Sequence, residues 1–437
     1  MKKIFLYGED GFAEEAERIV SRGIEDSSRV APAVSEIMAA VKKDGDEALL
    51  SYTATFDKVN LTVETLKVSA DELKASYNMI PASDREALEL SAKRIRVFHE
   101  KQLDRSWITE EAEGVILGQR VTPLDAVGLY VPGGKASYPS TVLMNAIPAK
   151  VAGVGRLAMV SPTPGGVVNH HVQAAAYIAG VDELYRVGGA QAVAALAFGT
   201  ESIAPVDKIV GPGNIYVATA KQLVYGRVDI DMIAGPSEIF IVSDGSGNPS
   251  HIAADLLSQA EHDELATCVL ATTDGAFAEA VALEVEAQLL EIDRGGIARK
   301  SWEERGAIFL MEDLGSVCDL ANNFASEHLE LAVENPFEVL TMIRHAGAIF
   351  LGHNTPEALG DYAAGPNHVL PTAGTARFNS PLGVEDFIKR SSLISFSREA
   401  LEKIGGPVAH IARMEGLDAH ARAVEMRLAP RKGESEE

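Results

Sequence analysis

The chain has 437 residues, 46% of them hydrophobic and 23% charged, with 63 acidic side chains against 39 basic ones and a net charge of −24. That length suits two or three domains, and the composition is that of a soluble globular protein. The charge argues against a nucleic-acid backbone or an anionic membrane surface as partner, and no apolar stretch is long enough to cross a bilayer.

The opening run Ile4-Phe-Leu-Tyr7 is too short for a signal peptide and meets Glu9 and Asp10 at once, so a cytoplasmic protein is expected. Residues 1–30 read as a helical arm, with Phe12, Ala16 and Ile19 on one stripe. Val34 to Phe56 reads as an amphipathic helix through Val34, Ile37, Met38 and Val41, broken at Asp44-Gly45-Asp46. Asp84 to Gln102 is another, containing Ile95 and Phe98. Packing accounts for all of these.

Near Asp125 the texture changes. The run Ala126-Val-Gly-Leu-Tyr130 closes on Val131-Pro-Gly-Gly134, and an apolar helix follows from Leu143 to Val151. Strand, glycine-rich loop and helix then recur through Leu157-Ala-Met-Val-Ser161, Glu183-Leu-Tyr-Arg-Val187 and Lys208-Ile-Val210, the last meeting Gly211-Pro-Gly-Asn214. That alternation predicts a parallel sheet with crossover helices, and ligands at the carboxyl ends of the strands. A second series runs through Ile239-Phe-Ile-Val-Ser243, Cys268-Val-Leu-Ala-Thr272 and Ala348-Ile-Phe-Leu351.

The fold class is therefore α/β: two Rossmann-like parallel-sheet domains, one split in sequence, plus small N- and C-terminal helical tail segments. The expected boundaries are 1–30 for the arm, 31–128 with 238–380 for the split domain, 129–237 for the second domain and 381–437 for the tail. The acidic end Gly433-Glu-Ser-Glu-Glu437 is expected to be disordered. Cys268 and Cys318 lie among apolar neighbours without a CxxC partner, and read as buried thiols.

Between the first two strands of the second series lies Asp255-Leu-Leu-Ser-Gln-Ala-Glu-His-Asp263. It has no helix breaker, and Leu256 and Leu257 fit a helix against a core. Gln259 and His262 stand three apart, so on a helix they share a face and could hold a divalent metal; surface or capping roles are the bland alternative. Other polar clusters are Gly235-Pro-Ser237-Glu238, Ser326-Glu327-His328-Leu-Glu330 and Gly360-Asp361 to Asn367-His368, with Glu415 and His420 on a late helical stretch. An adjacent Glu-His pair at a loop or helix start can bring two proton acceptors to one cleft, which suits two successive proton abstractions. Each residue alone has an ordinary reading as a cap, turn or surface group, and no spacing rule links the clusters. Nucleotide binding is open too. Tyr216 stands where GxGxxG needs its third glycine, yet glycine-rich loops after strands can still take phosphates.

Six segments together resemble the histidinol dehydrogenases, over nearly the whole length and in the family's order. They are Gly211–Val217, Asp231–Glu238, Asp255–His262, Ser326–Leu331, Gly360–Pro371 and Val384–Arg390. The resemblance implies oxidation of L-histidinol through the aldehyde to L-histidine, the last steps of histidine biosynthesis, with one Zn2+ per subunit and two NAD+. It implies Gln259, His262, Asp361 and His420 as zinc ligands, and Glu327 and His328 as catalytic groups. Substrate contacts would be Ser237, Gln259, His262, His328, Asp361, His368, Glu415 and His420. NAD contacts would be Tyr130, Gln191 and Asn214. It also implies a homodimer whose C-terminal tail completes the partner's site through Glu415 and His420. The rivals are a relative acting on another small alcohol, a zinc hydrolase, and a non-catalytic metal-binding protein.

Overall fold

A computed structural model of the protein describes residues 4–23, 27–133 and 138–429; the acidic end 433–437 and Gly134 lie outside them. The backbone divides into two units. One is Met1–Leu103 with Leu124–Phe387, and the other is Asp104–Pro123 with Ile388–Glu437.

The larger unit holds two six-stranded sheets. The first is parallel throughout, in the order Ile4–Leu6, Ala307–Leu310, Thr267–Thr272, Glu238–Ser243, His328–Ala332, Ala348–Leu351. Its central strands are buried along their length, as continuous runs such as Ile239-Phe-Ile-Val require of a sheet covered on both faces. The second sheet runs Lys67–Val68, Glu183–Tyr185, Arg156–Val160, Ala126–Tyr130, Lys208–Val210, Asp229–Ile230. Only its edge strand Lys67–Val68 is antiparallel to its neighbour. Both parallel series expected from the sequence are present. No described helix is long and apolar enough to cross a membrane.

The early helices do not pack where the expected boundaries put them. Val34, Ile37, Met38, Val41 and Leu49 of the helix Ala31–Phe56 join Tyr130, Val160, Val193, Leu196 and Ile209 in one core cluster. Leu73, Ala92 and Ile95 join Val127, Leu129, Leu143 and Leu157 in another. The apolar stripes of residues 31–102 thus pack on the second sheet, while Ser91 and Arg94 also donate to the carbonyls of Tyr362, Ala363 and Ala364 in the 238–380 segment. The amphipathic stripe fixes that a helix packs, but not on which sheet. The expected break lies within the long helix, at Gly45 with φ 54°. A β-carbon there would also collide with the Glu201 carboxylate.

The N-terminal arm is more than a helix. Ile4–Leu6 pairs with Ala307–Leu310 as the sheet's edge, and Phe12 of the helix Phe12–Val20 meets Phe309 edge-on at 5.3 Å.

The smaller unit opens with strands rather than helix. Ile388–Phe396 pairs antiparallel with Val115–Pro123, which pairs with Trp107–Ala112. The helices Arg398–Met414 and Asp418–Leu428 follow. Gly405 gives Leu428 and Val424 room to close, and Arg413 forks onto Glu425 at 2.6 and 2.8 Å.

Candidate active site

A cavity of about 510 Å³ is lined by residues of both sheets of the larger unit. From the second sheet come Pro132 and the Pro212–Asn214 loop, both just past strand ends, where a topological switch point receives ligands. From the first sheet come Ser237, Glu327 and His328, which stand at the amino ends of their strands. The cavity therefore meets the carboxyl ends of strands in one sheet and the amino ends of strands in the other.

His328 opens the strand His328–Ala332, instead of sitting on the loop or helix start that its sequence suggested. Leu329 and Leu331 are fully buried on the core side, so period-two alternation turns His328 the other way. The preceding helix Leu314–Phe324 ends on Ala325 in the left-handed region, φ 51°, which turns the chain toward Glu327.

One residue of the neighbouring strand holds both groups. The Glu238 backbone N–H donates to Glu327 Oε2 at 2.9 Å, and the Glu238 carbonyl oxygen lies 3.1 Å from His328 Nδ1. A carbonyl can only accept, so Nδ1 carries a proton, and it is in the neutral ring that Nε2 carries the lone pair. Nε2 is buried, has no hydrogen-bond partner, and lies 3.6 Å from Asp361 Oδ1 and 3.7 Å from Glu357 Oε1. Burial pushes the Glu327 carboxyl up to about 8. Burial also opposes charge on His328, but the carboxylates of Glu327, Asp361 and Glu357 more than offset it and raise the imidazole well above its ordinary value.

Gln259 and His262 close the helix Pro249–Ala260, Gln259 in its last turn and His262 just beyond. Their side chains meet at 3.3 Å, Gln259 Nε2 to His262 Nδ1, leaving the buried Gln259 Oε1 without a partner. Asp361 is buried, yet contacts with the His328, His368 and His262 imidazoles hold its carboxyl down at about 2. His368 is fixed by its Nδ1, 2.9 Å from the Asp361 carbonyl oxygen, and by Nε2, 3.3 Å from Thr141 Oγ1.

Among the described residues, His328, Glu357 and Asp361 bring one ligand atom each within 4.8 Å of one another. An ionised carboxylate, imidazoles and an orphaned amide oxygen form a donor set that suits a borderline dication such as zinc. The residues present therefore fit a metal.

The sequence reading missed Glu357, which burial raises to about 7. It accepts from Ser258 Oγ at 2.9 Å, and its backbone N–H donates to Glu330 Oε1 at 2.8 Å. Its spacing of four from Asp361, on the helix Glu357–Tyr362, was the available signal. Glu238 was flagged only as part of a polar cluster, because its backbone does the work and no side-chain motif announces that.

Of the residues expected to contact NAD, Asn214 lines the cavity and caps the helix Ile215–Val224, its Oδ1 accepting from the backbone N–H of Tyr216 and Val217. The loop before it is pinned at Gly211. Asp231 accepts from the Gly211 N–H at 2.8 Å, and the buried Lys221 bridges Asp231 and the Gly211 carbonyl. Tyr130 and Gln191 flank Gly189, whose N–H donates to Tyr130 Oη at 3.0 Å. Gln191 Oε1 is buried without a partner. Neither lines the cavity that holds Asn214. Glu415 and His420 belong to the smaller unit and are exposed on it.

A family model described as histidinol dehydrogenase matches residues 20–428. The chain is similar to the histidinol dehydrogenase of Syntrophotalea carbinolica, 56% identical over 428 residues that cover 98% of this chain and 99% of that one. It is 57% identical to that of Geobacter metallireducens over 426 residues, 97% of each. Among solved structures it is similar to histidinol dehydrogenase from Elizabethkingia anophelis, with a TM-score of 0.92, 35% identity and 98% of both chains covered.

Proposed function

The chain belongs to the histidinol dehydrogenase family, a class of NAD-dependent oxidoreductases, and from that premise we propose that it oxidises L-histidinol through L-histidinal to L-histidine, with two NAD+ in turn and one Zn2+ per subunit, in the last steps of histidine biosynthesis. The observation that carries this reading is the convergence of Ser237, Gln259, His262, Glu327, His328, Asp361 and His368 on one cavity.

Gln259, His262 and Asp361, with His420 from a second copy, would hold the zinc, which supplies an anchor for the substrate's imidazole and amine nitrogens. NAD+ supplies the hydride acceptor, its contacts being Tyr130, Gln191 and Asn214. In the first oxidation His328 Nε2 takes the hydroxyl proton as hydride leaves the carbinol carbon. In the second, Glu327 takes a proton from the water that adds to the aldehyde. His328, having released its first proton to solvent, then deprotonates the hydrate as the second hydride leaves for the second NAD+. Ser237 and His368, with Glu415 and His420 of the second copy, complete the grip on the substrate. The aldehyde stays bound between the steps, which protects a reactive intermediate.

The homodimer is part of the proposal. The helix Arg398–Met414 leaves Ile404, Val408, Ile411 and Met414 exposed at helical spacing, an apolar stripe that a second copy would cover. A cytoplasmic setting is supported by the scarcity of cysteine, the two present, Cys268 and Cys318, being buried.

The deciding assay follows NADH formation by purified protein given histidinol and NAD+, before and after chelation, and with a panel of other alcohols. Turnover should need the metal and favour histidinol. Equal turnover after complete metal removal, or preference for another alcohol, defeats the reading. Mixed dimers of Glu327→Gln and His420→Asn subunits should regain activity through their one intact site. No recovery in demonstrated mixed dimers defeats the shared site.

A further inference from the structure

Far from the cavity in sequence, the end of the N-terminal arm reaches the strand that carries the catalytic pair. Arg22 forks onto Glu238, with Nε to Oε1 and Nη2 to Oε2 both at 2.6 Å, and the two side chains are 6% and 4% exposed. Two of the guanidinium's other three donors are satisfied as well. Nη1 donates to the Ile19 carbonyl and Nη2 to the Phe324 carbonyl, each at 3.0 Å, while the plane lies over the Phe324 ring. Glu238 Oε1 also accepts from the Ala373 N–H at 2.9 Å. Arg22 therefore ties together the arm, the helix that leads into Glu327, and the strand that begins at Glu238.

A buried ion pair is a poor source of stability, because desolvating two charges consumes most of what their attraction returns; apolar residues of similar volume often do as well. What the pair does supply is a fixed position. The side chain of Glu238 is held by three hydrogen bonds, two from Arg22 and one from the Ala373 N–H, and the peptide groups of that same residue are the ones that hold Glu327 Oε2 and His328 Nδ1.

We propose that Arg22 and Glu238 are positioning residues for the reaction: their ion pair locks the Glu238 backbone, which in turn aims Glu327 and fixes the donor nitrogen of His328. The proposal rests on the reading of Glu327 and His328 as the reacting groups. Neither Arg22 nor Glu238 lines the cavity. Their loss should therefore fall on the rate of turnover and not on substrate or metal binding, since sub-ångström misplacement of a reacting group lowers rate without removing a contact.

The test uses the full-length, metal-loaded protein with Arg22→Met, Arg22→Lys and the double variant Arg22→Met/Glu238→Leu. In Arg22→Met, kcat with histidinol should fall on the order of 10- to 100-fold, while the histidinol KM and the metal content stay within about twofold of the parent. Arg22→Lys keeps the charge without the fork and should land between the two. The double variant removes both buried charges and should fold as well as the parent, yet keep the low kcat. It decides the matter if Arg22→Met alone does not fold. An unchanged kcat in the folded variants overturns the proposal, and so does a loss shared with KM or metal content, which would mark a merely structural clamp. A fault in the underlying reading shows elsewhere: His328→Asn and Glu327→Gln would then keep their activity whatever Arg22 does.

Discussion

Gln259 and His262 face each other across 3.3 Å at the end of one helix, and the amide oxygen of Gln259 is buried with nothing to accept from. An unpaired buried acceptor is costly, on the order of 1–3 kcal/mol, unless a ligand completes it. Replacing His262 by Asn removes the imidazole donor while keeping a polar side chain of similar reach. The expected outcome is a lower metal content per subunit, read by elemental analysis after dialysis, with activity falling in step. Full metal retention in a folded His262→Asn protein would take His262 out of the ligand set.

Glu327 and His328 are neighbours in sequence but bind opposite polarities of one residue's backbone, Glu327 accepting from the Glu238 N–H and His328 Nδ1 donating to the Glu238 carbonyl. His328→Asn should slow oxidation of both histidinol and histidinal, by about 10²- to 10⁴-fold for a general base, with metal content near normal. Glu327→Gln should hurt histidinal oxidation far more than histidinol oxidation. Equal losses on the two substrates in Glu327→Gln would end the division of labour. The pH dependence has a definite sign. A base accepts a proton only when it has none, and the surrounding carboxylates raise His328 above the ordinary histidine value. Turnover should rise with pH beyond about 6.5, the unperturbed imidazole value, and a rate already flat below that pH would count against His328 as the base.

Much of the larger unit was legible because its signals are local. The runs at Lys208–Val210 and Ala348–Leu351 are strands with the bounds read from sequence, flanked by the glycines that turn the chain. The sequence could not say which strand lies beside which. His328 reaches Glu238 because the strand Glu238–Ser243 pairs with His328–Ala332 and not only with its sequence neighbour Thr267–Thr272. That order brings residues about ninety positions apart into hydrogen-bond range, and no spacing rule contains it. The strand at His328 carried a period-two signal in Leu329 and Leu331, masked by its brevity. Ile388–Phe396 was missed for another reason: it reads Lys-Arg-Ser-Ser in its first half, and its faces are mostly exposed. Only its partner Val115–Pro123 makes it a strand.

Near Glu327 and His328 lies a store of protons that should make stability fall with rising pH. Burial is the chief cause in each case: it raises Asp255 from 3.8 to about 6, and lifts Glu330, which shares a hydrogen bond with it, well above 4.5. An acid whose folded pKa is raised holds its proton in the fold after the unfolded chain has released it. Its contribution is therefore complete below about pH 4 and is lost as pH climbs through 6 and beyond. For Asp255 alone the loss is at most ~3 kcal/mol. Replacing Glu330 by Gln keeps the shape, and keeps an acceptor for the Glu357 N–H, but leaves nothing to ionise at that position. The melting temperature of the parent should fall between pH 5 and pH 9, both proteins being compared in the same metal state. In Glu330→Gln the fall should be shallower, so that the variant matches or trails the parent at pH 5 and exceeds it at pH 9. An equally steep fall in the variant would mean that Glu330 does not hold the proton, and that the alkaline instability arises at another site.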